Sequence, residues 1–412
     1  MSVAPLNIEL RLFRAVDRIS HLLRIFPRPL AAADMIGLSQ RRTGLSDFGP
    51  QPFEESLTVL LEAYDRDADL SMLGRIAARW DALRFLSNLL LLRKTETDDP
   101  QILHQRIDQP IFIMGLPRSG TTFLHSLLAE DPANLIPRCW ETIYPCPQPA
   151  RSAGVADPRP RIVDRQLAAF ARLAPELRSI HPIDAYSVQE CTEITAHVFR
   201  SLRYDTTHHI PSYRRWLDHA GHLVAYEFHR RFLQHLQFRK GAGRWVLKSP
   251  DHVFAMDAIR TVYPDARLVF VHRDPLKVLP SVAKLTEILR RPFTRNTGRL
   301  QIGREVSERW ALGTRRLIET SEAEHALPER IFHLQFRDLV ADPIGGAAAL
   351  YAHFGMVLSQ ETVARMQDFV AKKPNGGYGR NEYRLEDYGF DAQAERQRYR
   401  AYTAHFCIEA ET

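Results

Sequence analysis

The chain has 412 residues, 45% of them hydrophobic, which allows one large packed domain or two modest ones and excludes a disordered or fibrous protein. Its formal charge of +6 is spread along the sequence with no Lys/Arg run of the kind that forms a nucleic-acid-binding tail, so no nucleic-acid partner is expected. That mild excess suits a small polyanion as well as DNA and by itself decides little. The four cysteines, Cys139, Cys146, Cys191 and Cys407, form no C-x-x-C pair and no zinc spacing, and reduced thiols are expected. The first residues lack the apolar core of a signal peptide. The most apolar run among the first hundred residues, Leu89 to Leu92, is far short of the roughly 18 to 20 residues of a membrane span, so a cytoplasmic chain with no integral membrane segment is expected.

Residues 1–95 read as a helical cap. Helices are expected at 7–26, 53–65 and 70–92, the last with Leu73, Ile76, Ala77, Trp80, Leu83 and Leu86 at i, i+3, i+4 spacing. The first is amphipathic through Leu10, Phe13, Val16 and Phe26 with Arg on its other face, and is read as core-facing rather than as a membrane-surface helix. Gly and Pro between Phe48 and Phe53 break the pattern. The polar stretch Arg93 to Asp108 is too short to free this cap, which is therefore expected to pack on a main domain of residues 96–412.

Pro110 to Leu128, PIFIMGLPRSGTTFLHSLL, reads as strand, loop and helix. Ile111 to Met114 is a short apolar run bounded by Pro and Gly, as in a buried parallel strand. Gly115 to Thr122 carries the two glycines of a phosphate-cradling P-loop, and helix amides beyond it favour an anion. A nucleoside-triphosphatase loop would place Lys where Thr121 stands, with a hydroxyl on Mg²⁺ after it. Here the cation is Arg118, within the loop. A sulfonyl group carries less charge than a phosphoryl group and can be held by protein donors without a metal, so sulfuryl transfer is the expected chemistry.

Proline is frequent from Pro137 to Pro160, marking irregular chain near the anion site. Glu141, returning from the first helix, is the carboxylate singled out there, although on sequence alone a solvated role is the better reading for one Glu. Residues 161–240 read as mostly helical and aromatic, an acceptor-side insertion at about 150–240. Its His181, Glu190, Cys191, Glu193 and His197 match no metal-ligand spacing, and no metal is expected.

Two more strand–loop–helix units follow. Arg244 to Lys248 is a strand leading to Ser249-Pro-Asp251 and a helix at 253–263, and Arg267 to Val271 is a strand leading to His272-Arg273-Asp274-Pro275 and a helix at 277–289. The predicted class is α/β, a P-loop-type central parallel sheet flanked by helices. In such a sheet ligands sit at the carboxyl ends of the strands, so Lys248 and Arg273 should converge with the P-loop, and Ser281 can reach the same anion.

These units resemble a sulfotransferase using 3′-phosphoadenosine 5′-phosphosulfate (PAPS), in the style of the tyrosylprotein and bacterial families. The 5′-phosphosulfate loop is matched by Pro117-Arg118-Ser119-Gly120-Thr121-Thr122, and the 3′-phosphate motif by Arg273-Asp274-Pro275 through Ser281. The resemblance implies that Lys248 faces the scissile bond and that Glu141 is the base, with His125, His181 and Glu190 as acceptor-side alternatives. It spans roughly residues 108–390. Lys372 to Arg380 resembles a late basic loop over the nucleotide, through Arg380 or Lys373, and Phe336 to Leu339 resembles the strand end near the close of the fold. The implied reaction moves a sulfonyl group from PAPS to a small-molecule, lipid, sugar or phenolic hydroxyl. The competing readings are a P-loop kinase or NTPase, which needs Mg²⁺ and the missing Lys, and a non-catalytic nucleotide-binding protein of the same fold. Neither the acceptor nor the oligomeric state is legible.

Overall fold

A computed structural model of the chain describes residues 17, 29–146, 156–324, 327–373 and 383–411. Apart from Asp17, the helix expected at 7–26 lies outside the described residues, as does Arg380. Five strands form one parallel sheet: β1 (Ile111–Gly115), β2 (Asn134–Leu135), β3 (Arg244–Lys248), β4 (Arg267–His272) and β5 (Ile331–Gln335), in spatial order β2-β3-β1-β4-β5. Ile111 lies beside Val246 on one side and Arg267 on the other. β1 is buried along its whole length, and β3 and β4 are buried beyond their first residue. That is the burial expected of parallel strands covered on both faces.

The two faces take alternate side chains of each strand. Ile111 and Ile113 pack with Val246, Val269 and Leu334 against helices α4 (Thr121–Leu128), α10 (Pro343–His353) and α11 (Gln360–Lys372). Phe112 and Met114 pack with Trp245, Leu247 and Phe270 on the opposite face. The helices α1 (Ala32–Thr43), α2 (Glu54–Arg66) and α3 (Met72–Asp98) join that second core, together with α7 (Leu223–Lys240), α8 (Pro275–Arg290), α9 (Arg299–Ala323) and α12 (Arg400–His405). Helices α1, α2 and α3 thus share one apolar core with the sheet. Two short helices, α5 (Cys139–Ile143) and α6 (Cys191–Thr195), lie between β2 and α7.

From β1 the chain moves to β2 and β3 on one side, then crosses β1 to reach β4 and β5 on the other. The carboxyl end of β1 is therefore where successive connections part and leave a crevice. The loops after β1, β3 and β4 all open there.

A buried ionic network ties the cap to α6. Arg84 of α3 donates to Asp81 and to Glu193 of α6, each at 2.7 Å, and Arg203 reaches the same two carboxylates at 2.5 and 2.8 Å. Burial alone would push the Asp81 carboxyl up, but Arg203 and Arg84 hold it down at about 2. The depressed value means that this contribution to stability is present above the ordinary carboxylate range and is lost as pH falls toward about 2. Arg84 is the network's most buried member, with 4% of its side chain exposed. Arg84→Ala leaves Glu193 and Asp81 short of a partner and should cost about 3 to 5 kcal/mol in denaturant unfolding. A loss below about 1 kcal/mol, the range of exposed pairs, would contradict this account.

Candidate active site

The P-loop takes its shape from two glycines. Gly115 ends β1 with φ of 150°, and a Cβ there would stand 2.2 Å from the carbonyl oxygen of Val271 on β4. Only a residue without a side chain lets β1 lie that close to β4. Gly120 caps α4 with φ of 90°. Arg118 between them has φ of 64°, a left-handed conformation uncommon for a residue with a side chain and frequent where function constrains the backbone. The first-turn amides of α4 have no carbonyl partner within the helix, and the dipole adds partial positive charge there.

Around this cradle lies a cavity of about 1190 Å³. Arg118, Gly120, Thr121 and Thr122 form one wall, with Arg273 and Ser281 beside them. Arg118 Nε donates to Ser281 Oγ at 3.2 Å and Nη1 to the Ile180 carbonyl at 3.2 Å. Arg273 Nη1 donates to the Arg118 carbonyl at 2.7 Å, linking the ends of β1 and β4. Pro117 also lines the cavity, whereas Ser119 is fully buried in the loop behind it.

Lys248, the last residue of β3, has 2% of its side chain exposed. Its ammonium donates to Thr122 Oγ1 at 3.0 Å and to Glu190 Oε1 at 2.5 Å, both on cavity-lining residues. Burial would raise the Glu190 carboxyl, but Lys248, His181 and Arg118 outweigh it and hold the group below the usual range, so Glu190 is ionised at neutral pH. His181 lines the cavity too. Burial lowers it to about 4, assisted by Lys248 and Arg118 and opposed by Glu190, so it is neutral at pH 7.

The structure does not bring Glu141 to this group. Glu141 sits in the first turn of α5, where Oε2 accepts the Arg138 amide at 3.0 Å and Oε1 pairs with Lys240 of α7 at 2.8 Å, and it is not among the residues that line the cavity. His125 is likewise turned inward: Nε2 lies 3.1 Å from the Val246 carbonyl, and burial lowers the ring to about 3. Lys373 is exposed, with its ammonium 5.9 Å from the Phe369 ring. The possible metal cluster disperses as well. Glu193 is held by Arg84 and Arg203, His197 by Asn88 and backbone carbonyls, and among the described residues no three His, Cys, Asp or Glu gather to hold a metal ion. Tyr383 and Glu411 are among the cavity residues that sequence reasoning missed.

A sequence model described as "Sulfotransferase family" matches residues 110–360, more than half of the chain. The chain belongs to the sulfotransferase family. It is an enzyme of sulfonyl transfer, which displaces the kinase reading. The crystal structure of sulfotransferase STF1 from Mycobacterium tuberculosis H37Rv is similar with a TM-score of 0.79 and 31% identity, covering 90% of this chain and 99% of that one. Sulfotransferase STF9 from Mycobacterium avium gives a TM-score of 0.83 and 28% identity over 94% and 99% of the two chains. The omega-hydroxy-beta-dihydromenaquinone-9 sulfotransferase Stf3 of Mycobacterium tuberculosis is 27% identical over 285 residues, 68% of this chain and 70% of its own. Among the described residues of this sulfotransferase, no helix is long and apolar enough to cross a membrane.

The close approach at Gly115 gives a direct test of the cradle. Gly115→Ala must push β1 from β4 or distort the loop, because the obstructing atom is a backbone carbonyl. Strongly reduced nucleotide binding and a lowered melting temperature are expected. A variant with unchanged melting and binding would show that this contact does not set the loop.

Proposed function

We propose that this sulfotransferase moves the sulfonyl group of PAPS to the hydroxyl of a lipophilic small molecule by direct in-line transfer. The observation that carries the proposal is the buried Lys248 ammonium, which donates to Thr122 and Glu190, two residues of the cavity wall. The donor, when bound, supplies an activated sulfonyl group on a bisphosphate leaving group. The residues present fit it. Loop amides and Arg118 suit a 5′-phosphosulfate, Arg273 and Ser281 a 3′-phosphate, and Thr121 stands where a Mg²⁺-dependent triphosphatase would need Lys.

In this reading Arg118 and the amides of residues 118–122 orient the anion. Lys248, turning from its internal partners, offsets the negative charge that develops on the bridging oxygen, as an oxyanion-hole donor does. Glu190, ionised and next to Lys248, accepts the proton of the acceptor hydroxyl. Glu190 takes this role in place of Glu141, whose carboxylate serves α5 and Lys240. Support for a lipophilic acceptor comes from the cavity, which exceeds the roughly 300 to 1,000 Å³ of an ordinary ligand site and has Phe123, Leu285, Val340 and Val370 among its walls. It also comes from the named acceptor of Stf3, a hydroxylated menaquinone derivative.

Steady-state transfer from PAPS to a hydroxylated quinone in detergent tests the assignment. Glu190→Gln should lower kcat by about 10² to 10⁴ with the fold intact. Lys248→Ala or Arg118→Ala should lower it by about 10² to 10³. Glu141→Gln should leave kcat within a few-fold. If Glu141→Gln stops turnover and Glu190→Gln does not, the base is Glu141 and this reading of the carboxylates is wrong.

A further inference from the structure

Arg273 directly follows β4 at the cavity wall, and all three of its guanidinium nitrogens are already engaged. Nη1 is on the Arg118 carbonyl, while Nε and Nη2 donate to the two oxygens of Glu411, at 3.0 Å each. The guanidinium also lies 3.8 Å from the centroid of the Phe336 ring, which fixes the plane of the fork. The Glu411 carboxylate is delivered there by a held segment. After α12, Cys407 turns with φ of 51°, Gln335 Nε2 donates to the Phe406 carbonyl at 2.8 Å, Arg337 pairs with Glu409, and the Glu411 amide donates to Asp274 Oδ2 at 2.9 Å. A carboxylate in a two-oxygen fork with arginine has the geometry in which the same arginine would take a phosphate. Glu411 lines the same cavity as Arg118 and Ser281.

We propose that Glu411 is a built-in competitor for the anion seat of Arg273, occupying with its carboxylate the place that a nucleotide 3′-phosphate takes and being displaced when the nucleotide binds. The proposal rests on the reading that Arg273 holds the 3′-phosphate. One fork cannot serve a carboxylate and a phosphate dianion at once, and their like charges repel at contact distance. The competitor therefore weakens the hold on donor and spent bisphosphate alike, and returns to the arginine as the bisphosphate leaves. It speeds turnover wherever product release limits the rate.

Calorimetric titration of the full chain with adenosine 3′,5′-bisphosphate, and with adenosine 5′-monophosphate as the ligand lacking the 3′-phosphate, tests this. Glu411→Gln and Glu411→Ala should each bind the bisphosphate about fivefold tighter, the value of one exposed ion pair removed from competition. Affinity for the monophosphate should not change, and on an Arg273→Ala background Glu411→Gln should have no effect. Unchanged or weaker bisphosphate binding by both Glu411 variants, at unchanged melting temperature, overturns the competitor while leaving Arg273 as the phosphate holder if Arg273→Ala alone weakens binding. Should Arg273→Ala bind the bisphosphate as tightly as the unaltered chain, the parent reading fails and takes the competitor with it.

Discussion

A buried ammonium needs an anion, and the arrangement at Lys248 follows from that constraint. The desolvation of a charge is repaid only by a close, hydrogen-bonded partner, and at the end of β3 Glu190 and Thr122 provide it. Thr122 is on the first turn of α4 and Glu190 directly precedes α6, so one cation joins the loop after β1 to the segment before α6. Through Glu193 on α6 the same connection runs to Arg84 and the cap. The cap helices thereby do more than cover the sheet, since Arg84 also holds α6, the helix that Glu190 directly precedes.

The anion site itself is a product of sheet topology. Three parallel units deliver Arg118, Lys248 and Arg273 from the ends of three adjacent strands, and the crossing over β1 leaves a crevice lined by Arg118, Arg273 and the Lys248 partners Thr122 and Glu190. Gly115 admits the close contact of β1 with β4 on which that adjacency depends.

Those strands and their terminal cations were legible in the sequence because their signals are local. Short apolar runs mark β1, β3 and β4, and a cation follows each run within four residues: Arg118 after Met114, Lys248 after Leu247 and Arg273 after Val271. β2, with two residues, is too short to carry a periodic signal. The stripe Ile302, Val306, Trp310 and Leu317 of α9 has helical spacing but lies in a strongly charged stretch that masks it. The pairings that give the site its chemistry were not legible. Glu190 meets Lys248 across 58 positions and Glu411 meets Arg273 across 138, separations for which a single sequence holds no register. Glu141 is an instructive case. A Glu in the first turn of a helix often closes a capping box, but the usual Ser or Thr three residues earlier is replaced by Arg138, so the local sign of a capping role was missing.

The account depends on Lys248 changing partners between an internal carboxylate and the transferred group. A crystal structure of this sulfotransferase with adenosine 3′,5′-bisphosphate bound tests that most directly. The account predicts the 5′-phosphate on the amides of residues 118–122 with the Lys248 ammonium turned toward it, and the 3′-phosphate on Arg273 and Ser281. A nucleotide seated elsewhere, or Lys248 still directed only at Glu190 and Thr122 with the phosphate out of reach, would contradict it.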